Sequence, residues 1–401
     1  MYNRETYVAA NGRRMIGSLA IATFFIFILI LISAMVARAQ SYEVLHSFNR
    51  QGDGIGPRGG LIQDADGNLY GTTASGKYGY GTMFKVDTKG GESILHSFTL
   101  RTGGGPWAGL IADSKGTFYG TTTFGGKGNG LGTVFSEDAT GHFSVLHVFK
   151  GGEDGETPYP GLVRDTSGNL YGVTTFGGTN GGGILFKVTP AGKETILHSF
   201  PSSQQDGQEP MGGLVMDKEG NLYGTTTSGG FQFGTVFKID SSGLETILYT
   251  FTGESDGEFP EATLIMDDAG TLYGTTSLGG SSSSGGCGTV FQLEKGGNFR
   301  TLHTFQGAPD GCHPLAGLVR DGDGNLFGTT RQGGLLNCES GCGTIFKVSK
   351  SGKETVLHRF AGGDGGWFPY AGLLSDSSGN LYGTTLGGGY YNKGTVFKLT
   401  P

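Results

Sequence analysis

The heptad GNLYGTT occupies residues 67–73 and returns almost unchanged at 168, 220, 324 and 379. Nothing constrains the fold of this 401-residue chain more, because a segment rewritten at a fixed spacing has to build the same local structure each time. Three signatures cycle in order. Asp-x-x-Gly followed by NLYGTT has its Asp at 64, 113, 165, 217, 267, 321 and 376. GTVFKV and its variants have their Phe at 84, 135, 186, 237, 291, 346 and 397. ETILHSF and its variants have their Phe at 48, 98, 149, 200, 251, 305 and 360. Seven copies of each, roughly 50 residues apart, is a propeller-blade period.

Each unit reads as four short strands, A to D: GLIQD, NLYGTT, GTMFKV and SILHSF in the first. They are rich in β-branched, aromatic and aliphatic residues and bounded by Gly and Asp, with no helical periodicity past residue 40. Asp-x-x-Gly is turn chemistry, since Asp accepts from backbone N–H groups ahead of it and Gly takes positive φ. The Leu and Tyr of NLYGTT serve the blade interfaces, and its Gly permits close backbone approach. The repeat opens on a lone D strand, YEVLHSF at 42–48, and ends on a C strand, GTVFKL at 394–399. Pairing those two closes the ring without a long exposed edge. The expectation is all-β, a seven-bladed β-propeller of four-stranded blades over 41–401, closed by the N-terminal strand in the last blade. The rival, a β-solenoid, leaves the matching ends unexplained.

Eighty glycines and 12 prolines would suggest low complexity if apolar residues were scarce, but hydrophobic residues make up 36% and aromatics 11%, enough for a core. Residues 1–39 differ from the rest: Arg4, Arg13 and Arg14 precede an uncharged run from Met15 to Val36, then Ala37-Arg38-Ala39. That reads as a signal peptide cleaved before Gln40, or as an N-terminal membrane anchor left in place. Either way the rest lies outside the cytoplasm, secreted, periplasmic or on the cell surface. Without residues 1–39 the chain has 24 basic and 34 acidic residues, a net charge of −10. That balance argues against nucleic acid and anionic membranes, leaving the membrane only to the N-terminal segment. A monomer is expected.

The signatures DxxGNLYGTT, GTVFKL and ETVLHSF resemble those of the GloVer tandem-repeat family, exported proteins described as carrying a choice of anchors. The resemblance spans about residues 42–401 and implies no established activity and no catalytic residues. The chain stops at Pro401, so a C-terminal sorting segment of the family's kind is not expected here, and any anchor would be N-terminal.

His46, His96, His147, His198, His303 and His358, with Tyr249, hold one position of strand D. Symmetry spreads such positions round the rim, so each is expected to make a structural hydrogen bond to a neighbouring strand rather than bind metal. Asp-Gly-x-x-Pro precedes strand A at Asp53, Asp154, Asp206, Asp256 and Asp310; Asp364 carries one inserted residue and Thr102 replaces the Asp in blade two. This too reads as turn chemistry. Asp321-Gly322-Asp323-Gly324-Asn325 lacks the full calcium-loop ligand pattern. Four cysteines break the repeat, Cys287, Cys312, Cys338 and Cys342, all on the face shared by the B-to-C and D-to-A loops. An even count outside the cytoplasm favours disulfides, with three connectivities open, and 287–312 with 338–342 is the expected pairing. A zinc site including His313 is the alternative, although the spacing matches no standard ligand pattern.

The B-to-C loops vary from 7 to 12 residues between GTT and the next GT, where binding usually lives. That face carries Trp107, Tyr159, Phe259, Phe231 and Phe233, and the densest patch combines Trp367, Phe368, Tyr390, Tyr391, Tyr78 and Tyr80 across the ring closure. Flat rings beside Gly, Asn and Asp suit a glycan or a protein partner. Two readings follow: a non-catalytic binding or scaffold module, possibly carbohydrate-binding, or a polysaccharide-acting glycosidase or lyase. The second needs paired carboxylates, for which Glu156, Glu209, Glu258 and Glu261 are the candidates. Neither a catalytic cluster nor a cofactor is read; Phe124-Gly125-Gly126, for instance, opens a loop rather than a nucleotide site.

Overall fold

The computed structural model describes residues 40–49, 52–128, 130–201, 207–280 and 285–401. The signal or anchor of residues 1–39 lies outside them. Among the described residues regular structure is β, apart from single 3-10 turns at Gly152–Asp154 and Gly363–Gly365. No described helix is long and apolar enough to cross a membrane.

The body spanning Tyr42–Leu399 is a seven-bladed propeller. Its third blade is representative, with A at Val163–Arg164, B at Leu170–Thr174, C at Ile184–Val188 and D at Glu194–Ser199, all antiparallel in that order. The seventh blade joins Leu374–Ser375, Leu381–Thr385 and Thr395–Thr400 to the first strand of the repeat, Ser41–Ser47, closing the ring as the end-matching predicts. Strand D carries a β-bulge in six blades, where the residue before the recurring His or Tyr, such as Leu146, has no partner across the ladder.

The core is seven wedges, one per interface. Each pairs the Phe of one D strand edge-on with the Phe of the next blade's C strand, from Phe48–Phe84 round to Phe360–Phe397, with centroids 5.0–5.5 Å apart. These rings are almost wholly buried, and edge-to-face geometry adds about 0.5–1.5 kcal/mol per pair beyond area burial.

The heptad supplies what each wedge needs. Its Leu is buried. Its Gly lies under the C-strand Phe: a Cβ at Gly71, Gly120, Gly172, Gly224, Gly274, Gly328 or Gly383 would stand 2.5–2.7 Å from that ring. The first Thr reaches the next blade, as in Thr72 Oγ1 donating to Ala108 O at 3.1 Å. The second pairs across the hairpin, as in Thr73 with Thr82 at 2.8 Å. The Tyr does more than pack: in five blades its hydroxyl is recorded at the turn Asp, 2.8–3.2 Å away, and Tyr382 makes the same bond at 3.1 Å. Burial alone would raise those seven carboxyls, but bonds from the Asn or Thr backbone, the Asn amide where present and the Tyr where present outweigh it and hold each below its ordinary value.

Two outcomes check this. Gly224→Ala should lose about 2 kcal/mol or more in denaturant unfolding, because Phe237 and Leu214 have to give way. A depressed folded pKa stabilises above the unfolded value and is lost as pH falls through the folded one, so the melting temperature should drop below about pH 4. Asp217→Asn should be less stable at neutral pH and show a shallower acid slope.

Candidate functional site

The bore of the ring is lined by seven small residues and by Leu and Ile residues that follow them. Gly60, Gly109, Gly161, Gly213, Thr263, Gly317 and Gly372, the residues just before the A-strand Leu, surround a cavity of about 290 Å³. They crowd one another: a Cβ at Gly109 would lie 3.2 Å from Gly60 O, and one at Gly317 3.0 Å from Thr263 O. The collar is too narrow and neutral for chemistry, so what converges on the axis does so above it.

The D-to-A connections do the converging. Each contains a proline, Pro57, Pro106, Pro158, Pro210, Pro260, Pro314 or Pro369, and the residue before it has φ of +56 to +64° in all seven blades. Five of those residues are not glycine, Thr157, Glu209, Phe259, His313 and Phe368, each carrying about 1–3 kcal/mol of backbone strain. Two bonds hold the conformation. The strained N–H donates to the previous blade's B-to-C loop, as Phe368 N does to Cys342 O at 2.9 Å, and its carbonyl accepts from the residue after Thr-Thr, as Phe368 O does from Leu386 N at 3.0 Å.

This twist points the residue after each proline toward the mouth of the bore. There the repeat stops repeating: the seven are Arg58, Trp107, Tyr159, Met211, Glu261, Leu315 and Tyr370. The Arg58 guanidinium lies between Trp107 and Tyr370, 5.0 and 5.1 Å from their centroids. Trp107 meets Tyr159 edge-on at 5.5 Å. Burial first, then Tyr370 of blade seven, pushes the Tyr159 hydroxyl of blade three up. Arg331, just after the Thr-Thr of blade six, sits 5.4 Å over Phe368 and 5.9 Å over Tyr370. Burial raises the Glu261 carboxyl, while Ser277, whose Oγ donates to it at 3.3 Å, and Arg331 pull it down. Nε of both Arg58 and Arg331 is buried without a hydrogen-bond partner. A cup lined with rings and two cations therefore caps the bore.

Of the residues singled out in the sequence, Trp107 and Phe368 belong to this cup. Trp367 packs edge-on against Phe368 at 4.6 Å and donates from Nε1 to Asn392 Oδ1 at 3.1 Å, tying its own blade's loops together. Tyr390 and Tyr391 meet edge-on at 4.9 Å and stand out, 77% and 53% exposed. Tyr78 is exposed beside Lys77, whereas Tyr80 is drawn under the core cluster of Met83, Phe98 and Phe135, 6.3 Å from Phe124. Arg58, Tyr370 and Arg331 escaped notice; the signal for the first two was the variable residue after a proline that never varies. Of the four Glu candidates only Glu261 is in the axial set, beside a cation. Glu209 Oε2 accepts from Ser228 in its own blade at 3.3 Å.

The cysteines pair as expected, Cys287 with Cys312 and Cys338 with Cys342. That removes the sulfurs from any zinc site, and His313 Nδ1 is 3.0 Å from Ser277 O. The first bridge reinforces the blade-five to blade-six bond His313 N to Cys287 O, 3.0 Å.

These features define a closed seven-bladed propeller with a neutral bore and an aromatic, arginine-bearing mouth. The Gloeobacter/Verrucomicrobia repeat matches residues 31–232 and 220–401, so the chain belongs to that family. No curated protein sequence matches it. Among solved structures it is similar to virginiamycin B lyase from Staphylococcus aureus, at 13% identity and TM-score 0.58, over 90% of this chain and 99% of that one. It is also similar to the extracellular domain of a protein described as a hybrid two component system from B. thetaiotaomicron, at 11% identity and TM-score 0.56, over 89% of this chain and 39% of that one. Both likenesses concern the fold.

Cys287→Ser with Cys312→Ser opens a loop whose ends are 25 residues apart, which chain entropy values at about 3–4 kcal/mol. Denaturant unfolding should show that loss.

Proposed function

We propose that this is an exported, non-catalytic binding propeller whose ligand seat is the face carrying the B-to-C and D-to-A loops, with the axial cup as its anchor and a saccharide as its ligand. The observation that carries this is the convergence of Arg58, Trp107, Tyr159 and Tyr370 at the mouth of a bore whose lining has no charged residue. A frame that holds one position of each repeat while changing its identity from blade to blade is built to present those residues. Stacked rings suit the apolar faces of a sugar. The two guanidinium groups suit a carboxylate on it, such as that of a uronic acid. Exposed Tyr390 and Tyr391 extend the seat outward for a longer chain. Glu261 accepts from Ser277 Oγ at 3.3 Å and feels the charge of Arg331 rather than that of a second carboxylate, which favours binding over glycoside hydrolysis. The disulfides favour a location outside the cytoplasm, as the N-terminal sequence does.

A glycan array carrying neutral and uronate-containing oligosaccharides tests this. Selective binding to the acidic glycans is expected, and Arg58→Ala should weaken it about 10–100-fold, the value of a charge-assisted hydrogen bond. Trp107→Ala should weaken neutral and acidic binding alike. A blank array, or full binding by both variants, sinks the proposal, and turnover of a bound glycan would make the protein an enzyme.

A further inference from the structure

This D-strand position was expected to make ordinary structural hydrogen bonds, and Tyr249 does so, its hydroxyl donating to Asp256 Oδ2 at 3.0 Å. The histidines have different surroundings. His46 with Asp53 and Glu92, His147 with Asp154 and Glu194, and His303 with Asp310 and Glu354 each bring one ring nitrogen and two carboxylate oxygens within 4.8 Å of one another. Each set spans an interface. The His comes from one D strand, the Asp from the connection leaving it, and the Glu opens the next blade's D strand. At a further interface His198 Nε2 is 3.1 Å from Glu245 Oε2, and its Asp206 lies outside the described residues.

Turn chemistry uses only part of these carboxylates. Asp154 Oδ2 accepts from Lys150 N at 2.7 Å, leaving Oδ1 to face His147 Nε2 at 3.4 Å, whereas Asp53 Oδ2 and Asp310 Oδ2 take both the turn N–H and the His contact. Nε2 of His46 and His147 and Oε1 of Glu92, Glu194 and Glu354 are buried with no hydrogen-bond partner. Unsatisfied groups collected at one point are costly, and three interfaces repeat the arrangement.

The other interfaces fill this position with an aromatic ring, and at two of them a carboxylate stays close: Glu137 Oε2 is 3.8 Å from His96 Nδ1, and Asp256 Oδ2 accepts from Tyr249 at 3.0 Å. Between blades one and two, Phe143 stands in the Glu position and Thr102 in the Asp position, and Phe143 stacks on His96 at 3.7 Å. Between four and five, Phe299 replaces the Glu and Tyr249 the His, stacked at 3.9 Å. Between six and seven, Tyr42 replaces the Glu, stacked on His358 at 3.9 Å, and the Asp is displaced by an inserted residue. Wherever the Glu is lost, another member of the set is lost or displaced, so the three residues behave as one unit.

We propose that the three clusters are binding sites for a divalent transition-metal cation, Zn²⁺ fitting best, that ties the outermost strands of neighbouring blades together. One imidazole and two carboxylates neutralise such an ion and leave a fourth position for water. Nε2-to-oxygen separations of 3.6, 3.4, 3.7 and 3.3 Å are close to the roughly 3.3–3.6 Å between donors of tetrahedral zinc with bonds of about 2.0–2.2 Å. A bulge precedes His147 and His303 and re-aims each ring.

The test uses the purified protein without an affinity tag, stripped with EDTA, loaded with Zn²⁺ and assayed by elemental analysis after gel filtration. At least three Zn²⁺ per chain are expected, retained in tenfold excess Ca²⁺. Asp154→Thr with Glu194→Phe copies the interface of Thr102 and Phe143 and should bind one ion fewer while keeping its circular dichroism. His147→Ala, which removes a donor without refilling the site, should also bind one fewer. Fewer than three Zn²⁺ per chain, displacement by Ca²⁺, or an undiminished count in a folded variant overturns the proposal.

Discussion

The edge-on contact between a D-strand Phe and the next blade's C-strand Phe is what the rest of the molecule depends on. A four-stranded sheet of this length has no core of its own. It becomes stable when a neighbour covers each face, and the Phe pair is the point where that cover is complete. The heptad glycine serves this contact, since any side chain there would occupy the space of the ring. A ring of such wedges has to close, and it does so when the first D strand enters the last blade and Phe48 meets Phe84. The shared blade leaves no sheet edge at the join.

With the wedges fixed, the connections between blades are free to differ only where no wedge is involved. The left-handed residue before each proline is the hinge of that freedom. Its two backbone bonds are indifferent to side chain, which is why Gly, Thr, Glu, Phe and His all occupy it. The residue after the proline inherits a fixed direction, toward the axis, and an unconstrained identity. The rim shows the complementary case. There either an aromatic stack or a His–Asp–Glu set fills the space between D strands, so packing and charge are two answers to one geometric demand.

Much of this was legible beforehand. The strand order, the blade count and the closing strand all follow from where the signatures fall. The two faces could be told apart because short uniform turns lie on one side and variable loops on the other. Within the variable-loop face the structure sorts the aromatic residues: Tyr80 packs half-buried against the core, Trp367 braces its own loops, Trp107 and Phe368 reach the cup. The rim histidines were seen as a ring, but the glutamates facing them belong to the next repeat, about 46 residues on from His46 to Glu92.

The sequence by itself determined what recurs: four strands per unit, seven units, and the turns and Phe–Gly complementarity that make each unit the same, because these depend on contacts within a repeat or at a fixed offset. Only the tertiary structure decided what converges. Arg58, Trp107, Tyr159 and Tyr370 lie in four different repeats, and their meeting depends on closure of the ring and on seven left-handed backbone turns that no local pattern announces.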